Sequence, residues 1–462
     1  MSAGVKALQD QLPECSWTTD KDLIAPQLTE WREKYFGTTP IMLTPHNTQE
    51  VSKLVKICAA HGLKIVPQGG NTGLVGGQIP QGEVLVSLSK MKDVRSVNPT
   101  NNSIVIEAGA TLKSLQDAAK DAGRRFPLSL ASEGSCTVGG ILSTNAGGVH
   151  VLKFGTAKNL VFGVEVVLAD GTIFNGLNDL RKDNTGYDLN NLFLGAEGTL
   201  GIITAASLKL FTRPNFLQRA IVGLASAEDA LSILRIADGN PALAMFEVFP
   251  SIGMDLVTTH IHGQRYPFKG RHDWFAIMDW ESQSEAQGQA IAENVLGASL
   301  EKGFAQDVII ARSDTQAAQL LALRENISAG QKHLGGAVKL DITVPIFDIP
   351  AFLKKADAAI LKAVPGARPV AFGHFGDGNI HYNIGCPEVM ETDAFLLRCS
   401  ELSNIVFDVV ENFGGSISAE HGIGIMKKED LARRADPIKL SLLKSVKNAL
   451  DCNNVMNPRV LI

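Results

Sequence analysis

The segment PQGGNTGLVGG, Pro67 to Gly77, places five glycines in eleven residues directly after the apolar run LKIV. Glycine's free φ lets consecutive backbone N–H groups converge on one anion, so such a loop is either a nest for a pyrophosphate or a plain strand-to-helix turn. It matches neither G-x-G-x-x-G nor the Walker loop, which sets aside the two commonest nucleotide readings. A second cluster, SEGSCTVGGILSTNAGG from Ser132 to Gly148, and a third, GAEGTLGIIT from Gly195 to Thr204, lie in the same stretch. Three such loops in one domain would line a groove long enough for a dinucleotide.

The surroundings of these loops read as α/β. EVSKLVKICAAHG has helical periodicity, LKIVPQGG reads as a strand entering a loop, and FGVEVVLADGTIF sets Asp170-Gly171 between two alternating runs, a hairpin signal. After Pro214 the glycine density falls. A helix (AEDALSILRIA) then alternates with strands (WFAIMDW, VIIARS, VKLDITVP) and further helices (TQAAQLLALRENISAGQ, IPAFLKKADAAILKAV). The expected organisation is an amino-terminal segment 1–37, a first domain over 38–214, a second over 215–410, and a carboxy-terminal helical segment 411–462 that returns to Gly-rich loop in ENFGGSISAEHGIGIMKK. A length of 462 residues with 45% hydrophobic content suits two or three buried cores.

The formal net charge of −5, with signs alternating along the chain, leaves no basic face, so nucleic acid is excluded as an expected partner. No run of about 18 apolar residues could span a bilayer, and MSAGVKALQDQLPECSW has no apolar leader, so a cytoplasmic or equivalent matrix location is expected. Six cysteines stand far apart without a CxxC pair, which argues for reduced thiols rather than a disulfide framework or a zinc ribbon.

The chain has 10 histidines, and two of them flank Gly-Asp-Gly-Asn in GHFGDGNIHYNI, Gly373 to Ile384. If RPVAFGHF and IHYNIG are strands joined by a turn at residues 376–379, His374 opposes His381, Phe375 opposes Ile380, and Asn383 shares the histidine face. The pair is then either part of a metal grip or two hydrogen-bonded imidazoles. Two imidazoles leave a divalent ion short of a ligand, and Glu420 in SISAEHGIG is the nearest candidate, with His421 beside it. His260 and His262 in THIH alternate as on a strand and read as surface or loop structure. LALRENIS puts Arg324 and Ser328 four residues apart, on one face of a helix, and Lys339 follows in AVKLDI. An Arg fork can pair a carboxylate bidentately while Lys adds a point charge, although a helical Arg is more often solvated or salt-bridged.

Together these loops, with the EHGIG and NP elements near the carboxy terminus, resemble the flavoproteins of the vanillyl-alcohol oxidase type. The resemblance runs over nearly the whole chain. It implies an α+β protein: a PCMH-type FAD-binding domain, a ferredoxin-like substrate domain, and a carboxy-terminal segment returning to the flavin. It implies that Gly69, Gly70, Asn71, Thr72, Gly73 and Leu74 contact the pyrophosphate. Ser135, Thr137, Gly139, Gly140, Asn145 and Gly148 would line the isoalloxazine side, Glu197 and Ile203 would lie near the adenosine, and Asn457 of the NP element would also touch cofactor. Members that attach flavin covalently carry a His after the paired glycines. Asn71 stands there, so the FAD is expected to be dissociable.

GHFGDGNIH together with SAEHGIG is similar to a metal-dependent branch of that family that oxidises D-2-hydroxy acids. The resemblance implies a divalent metal, zinc first, held by His374, His381 and Glu420, with His421 as the base. Arg324, Ser328 and Lys339 match positions that hold substrate carboxylates in 2-hydroxyglutarate dehydrogenases, where Thr is common in place of Ser328, and Asn383 on the histidine face is a further expected substrate contact. D-2-hydroxyglutarate is the implied substrate, ahead of D-malate, D-lactate and glycolate. An electron-transfer flavoprotein or quinone is implied as acceptor, and a homodimer as the assembly. A non-redox transferase on the same fold, and a flavin-binding carrier without its own substrate, are the rival readings.

Overall fold

A computed structural model describes residues 2–462, which form two compact units. The first holds the described residues up to Gly148, Phe154–Arg213 and Glu420–Ile462; the second holds Val149–Lys153 and Pro214–Ala419.

The first unit is built on two larger sheets, with a two-stranded one pairing Arg124–Arg125 with Phe211–Thr212. In one, Val84–Ser87 lies between Met42–Leu43 and Ile65–Gln68 and runs parallel to both, and every residue of that central strand is buried, as a parallel strand covered on both faces must be. Thr48–Ala60 supplies the crossover helix. Asn47 caps it by accepting from Glu50 N at 2.9 Å, and Val51, Leu54, Val55 and Cys58 form its buried stripe. The other sheet is antiparallel and five-stranded, in the order Val94–Asn98, Ser103–Glu107, Ile202–Lys209, Val161–Val167, Ile173–Asn175. The expected hairpin is there: Val167 pairs with Ile173 around Gly171, whose φ is +79°. The amino-terminal segment is not separate. Val5, Leu8 and Leu12 join this unit's core, and Trp17–Thr18 is an edge strand of its parallel sheet. The last segment enters this unit at Glu420 and is stitched to the parallel sheet, with Ile65 N donating to Val455 O and Asn457 N donating to Ile65 O, each at 2.8 Å.

The second unit opens with the order strand Phe216–Leu224, helix Ala227–Ala237, strands Leu243–Pro250 and Trp274–Ser282, helix Glu285–Glu301, strand Asp307–Ile310. The four strands are antiparallel and lie side by side in the order second, third, first and fourth, that is Leu243–Pro250, Trp274–Ser282, Phe216–Leu224, Asp307–Ile310, which is the ferredoxin-like arrangement. A three-stranded sheet follows, with Asn379–Gly385 between Ala337–Thr343 and Arg368–Phe372. Its two faces differ because side chains alternate. Leu340, Ile342, Ile380, Tyr382 and Ile384 share a core with Phe352 and Ile360 of helix Ile349–Ala363 and Val406 of helix Cys399–Asn412, each such side chain contributing about 1.5–3 kcal/mol by burial. The other face carries Lys339, Asp341, His381 and Asn383.

Three sequence expectations are corrected here. Strand Arg368–Phe372 stops before the histidine, so His381 opposes Phe372 and not His374. The cause is Gly373, which exchanges backbone hydrogen bonds with Val248, 3.0 Å in each direction, and turns the chain into a connection over residues 373–378. THIH is not a strand: His260 ends helix Ser251–His260, and its ring stacks on His333 with centroids 4.1 Å apart. The helix carrying Arg324 ends at Glu325, and Ser328 lies on a separate short helix, Ile327–Gly330, after the cap Asn326. Arg324 is buried and Ser328 exposed.

Candidate active site

In the first unit the Gly-rich loops enclose a cavity of about 560 Å³, within the usual size for a cofactor or small-molecule site. Its walls include Gly69, Gly70, Asn71, Thr72, Gly73 and Leu74, together with Ser135, Thr137, Gly139 and Gly140, and also Glu197, Ile203 and Asn457. Asn145 and Gly148 are not wall residues; Thr144, Ala146 and Gly147 line the cavity beside them. Asn145 instead accepts from Lys158 N at 3.0 Å, and a Cβ on Gly148 would lie 2.4 Å from Ser129 O.

Close approach of backbone explains two of the glycines. A Cβ on Gly70 would lie 1.8 Å from Ser135 O, and one on Gly69 would lie 2.2 Å from Thr137 Oγ1. Asn71 follows in the left-handed region at φ +53°. Its amide donates to Thr29 O at 2.9 Å and accepts from Gln78 Nε2 at 3.2 Å, so this side chain ties the amino-terminal segment to the loop.

Glu197, also left-handed at φ +51°, lines the cavity and in addition anchors the carboxy-terminal loop. Its buried carboxylate accepts from Ile423 N at 2.8 Å and Gly424 N at 2.7 Å, and so holds the EHGIG loop; burial pushes its pKa up against those two bonds. Asn457 donates to Gly77 O at 3.0 Å and Glu197 O at 2.8 Å. Glu420 and His421, at the start of the same loop, also line the cavity. Two buried acceptors in the wall, Asn457 Oδ1 and Gln68 Oε1, have no donor among the described residues. A ligand with O–H and N–H donors and an anionic middle suits that set, and FAD is such a molecule.

The second unit carries other candidate side chains on the polar face of its three-stranded sheet. Lys339 lies opposite Asn383 and Asp341 opposite His381, so the four share one face. The rings of His374 and His381 have centroids 5.6 Å apart despite the altered register. Each has a carboxylate behind Nδ1: His374 is hydrogen-bonded to Glu247 Oε1, and His381 stands 3.8 Å from Asp341 Oδ1. Asn383 is buried and donates to Gln331 Oε1 at 2.9 Å. Asp377 lies in the connection between the histidines, and burial pushes its pKa up to about 6.

Arg324 is placed against Glu247, its Nε 2.7 Å from Oε2, with the guanidinium 4.5 Å from the Phe372 ring centre. Burial alone would raise the pKa of Glu247, but the charges of Arg324 and His374 prevail and hold it down to about 2. Sequence reading missed Glu247. The available signal was a single charge inside the apolar run ALAMFEVF, since a carboxylate there has to be buried and paired.

The family described as "FAD binding domain" matches residues 39–176, and that described as "FAD linked oxidases, C-terminal domain" matches residues 213–461. A mitochondrial D-2-hydroxyglutarate dehydrogenase of Arabidopsis thaliana is 35% identical over 463 residues, which covers 99% of this chain and 81% of the relative. The D-2-hydroxyglutarate dehydrogenase of Stutzerimonas stutzeri is 34% identical over 445 residues, covering 95% of this chain and 94% of that one. Among solved structures, p-cresol methylhydroxylase superimposes with a TM-score of 0.75 over 99% of this chain and 96% of its own, at 17% identity, a likeness of fold alone. No described helix is long and apolar enough to cross a membrane.

Proposed function

Because this chain belongs to the FAD-linked oxidases, in the family of the D-2-hydroxyglutarate dehydrogenases, we propose that it oxidises D-2-hydroxyglutarate to 2-oxoglutarate. The observation that supports the chemistry most is the polar sheet face, where two imidazoles backed by carboxylates stand with Asn383 and Lys339. A metal-ligating histidine characteristically gives its other ring N–H to a carboxylate, and His374 makes that bond. His374 and His381 are therefore proposed as ligands of a divalent ion, zinc first. Glu420 as third ligand rests on the sequence.

Bound FAD, held noncovalently, supplies a hydride acceptor at the glycine-lined cavity. A divalent ion at the histidines would lower the pKa of a coordinated hydroxyl. The chain's own residues then bind and orient the acid. Lys339 is proposed to pair with one carboxylate and the terminal nitrogens of Arg324 with the other, with Asn383 and Ser328 as hydrogen-bonding partners. Two cationic groups favour a diacid, which offers a carboxylate to each of them. His421 is proposed to take the proton from the C2 hydroxyl. A protein or quinone electron carrier such as an electron-transfer flavoprotein and a homodimeric state are proposed on the sequence resemblance.

His421→Ala tests the proton step. It is expected to lower kcat on the order of a hundredfold while flavin stays bound, measured by steady-state turnover and the flavin-to-protein absorbance ratio. Unchanged turnover would remove His421 from the role.

A further inference from the structure

We propose that Glu247 is a positioning residue that ties His374 and Arg324 to one carboxylate, so that the site's affinity for its cation and for its acid rise and fall together. The inference rests on the reading that His374 ligates a divalent ion and that Arg324 receives a substrate carboxylate.

The two oxygens of Glu247 are divided between the two partners. Oε1 takes the Nδ1 hydrogen of His374, which fixes the tautomer and directs the Nε2 lone pair as the coordinating atom. Oε2 forms an ion pair with Arg324, 2.7 Å from Nε, and Phe372 packs under the guanidinium, so the long side chain is held between a charge and a ring. The backbone reinforces the arrangement. Val248 exchanges both of its hydrogen bonds with Gly373, so the residue after Glu247 is stapled to the residue before His374. A Cβ on Gly373 would lie 2.5 Å from Asn379 O, which leaves that junction no room to slide.

A purely structural tether is the competing account, because Arg324 lies on helix Asp314–Glu325 and Glu247 on the sheet beneath it. That tether already exists. Arg219 pairs with Asp279 through Nε at 2.6 Å, and its Nη1 donates to Ala317 O of the same helix at 2.8 Å. A second buried ion pair is costly to desolvate and adds little stability. What Glu247 adds is a link between the Arg324 guanidinium and the imidazole of His374, a residue 127 positions from Glu247 in sequence.

The test uses the full-length flavoprotein, stripped of metal and titrated with zinc against a chromophoric chelator, for the wild type, Glu247→Gln and Glu247→Asp. Glu247→Gln is expected to weaken zinc by about 10- to 100-fold and to raise KM for D-2-hydroxyglutarate, with flavin content unchanged. Glu247→Asp keeps the charge and is expected to recover part of both. In the metal-free wild type, ring ¹⁵N shifts should show His374 protonated at Nδ1, a signature that a merely structural residue would not move and that Glu247→Gln should lose. If Glu247→Gln does not fold, the same constants for Glu247→Asp decide. Zinc affinity and KM within about twofold of wild type would overturn the inference. A wild type that binds no zinc would instead bring down the metal reading, and this inference with it.

Discussion

Gly70→Ala is expected to yield protein that purifies without flavin. The added Cβ would sit 1.8 Å from Ser135 O, 2.8 Å from the carbon of that carbonyl and 3.1 Å from Cys136 Cα. All three are backbone atoms, so no side-chain rotation relieves the clash, and the first and second glycine loops must part. Overpacking of this kind costs about 1–3 kcal/mol, here concentrated on the two loops that shape the cavity. Gly134→Ala is the control, because nothing lies within 4 Å of its Cβ in the same cluster. The flavin-to-protein absorbance ratio should fall to background for Gly70→Ala and hold for Gly134→Ala. Equal ratios would show that contact between these loops does not form the cofactor site.

His374→Ala is expected to lose the bound divalent ion and at least about a thousandfold of kcat/KM, since a Lewis acid at a developing alkoxide is worth several kcal/mol and each 1.36 kcal/mol is tenfold. Two losses combine in this variant. The coordinating ring is removed, and Glu247 keeps Arg324 but loses its second partner. Elemental analysis should show metal near zero, and chelator-treated wild type should be as slow as the variant. His421→Ala should retain its metal, which separates proton transfer from coordination. Metal content unchanged in His374→Ala would reject it as a ligand.

The two predictions differ in how much of their basis was visible before any coordinates. Gly70 announced itself because close backbone approach leaves glycine as its mark, and the loop order alone marked out a dinucleotide groove. Helices such as Thr48–Ala60 and Ile349–Ala363 and the hairpin around Gly171 were legible from periodicity and turn residues. The register at His374 was not, because it is set by Val248, a partner remote in sequence that captures Gly373 and ends the strand early. THIH misled for a local reason: two histidines at period two fit a strand as well as the last turn of a helix and the residues after it. The break at Asn326 carries neither Gly nor Pro, so nothing in LALRENIS marks it. Glu197 illustrates a subtler limit. Its place in the GAEGTLG loop was readable, but its bonds to Ile423 and Gly424 depend on how the last segment returns, which the local sequence does not encode.

The most direct test of the account is anaerobic mixing of the purified flavoprotein with D-2-hydroxyglutarate, D-malate, D-lactate and glycolate in turn, following the flavin band near about 450 nm with and without a chelator. Rapid bleaching by D-2-hydroxyglutarate is expected, with slower bleaching by the other acids and loss of the fast phase when metal is removed. An absorbance that none of these acids changes would contradict it.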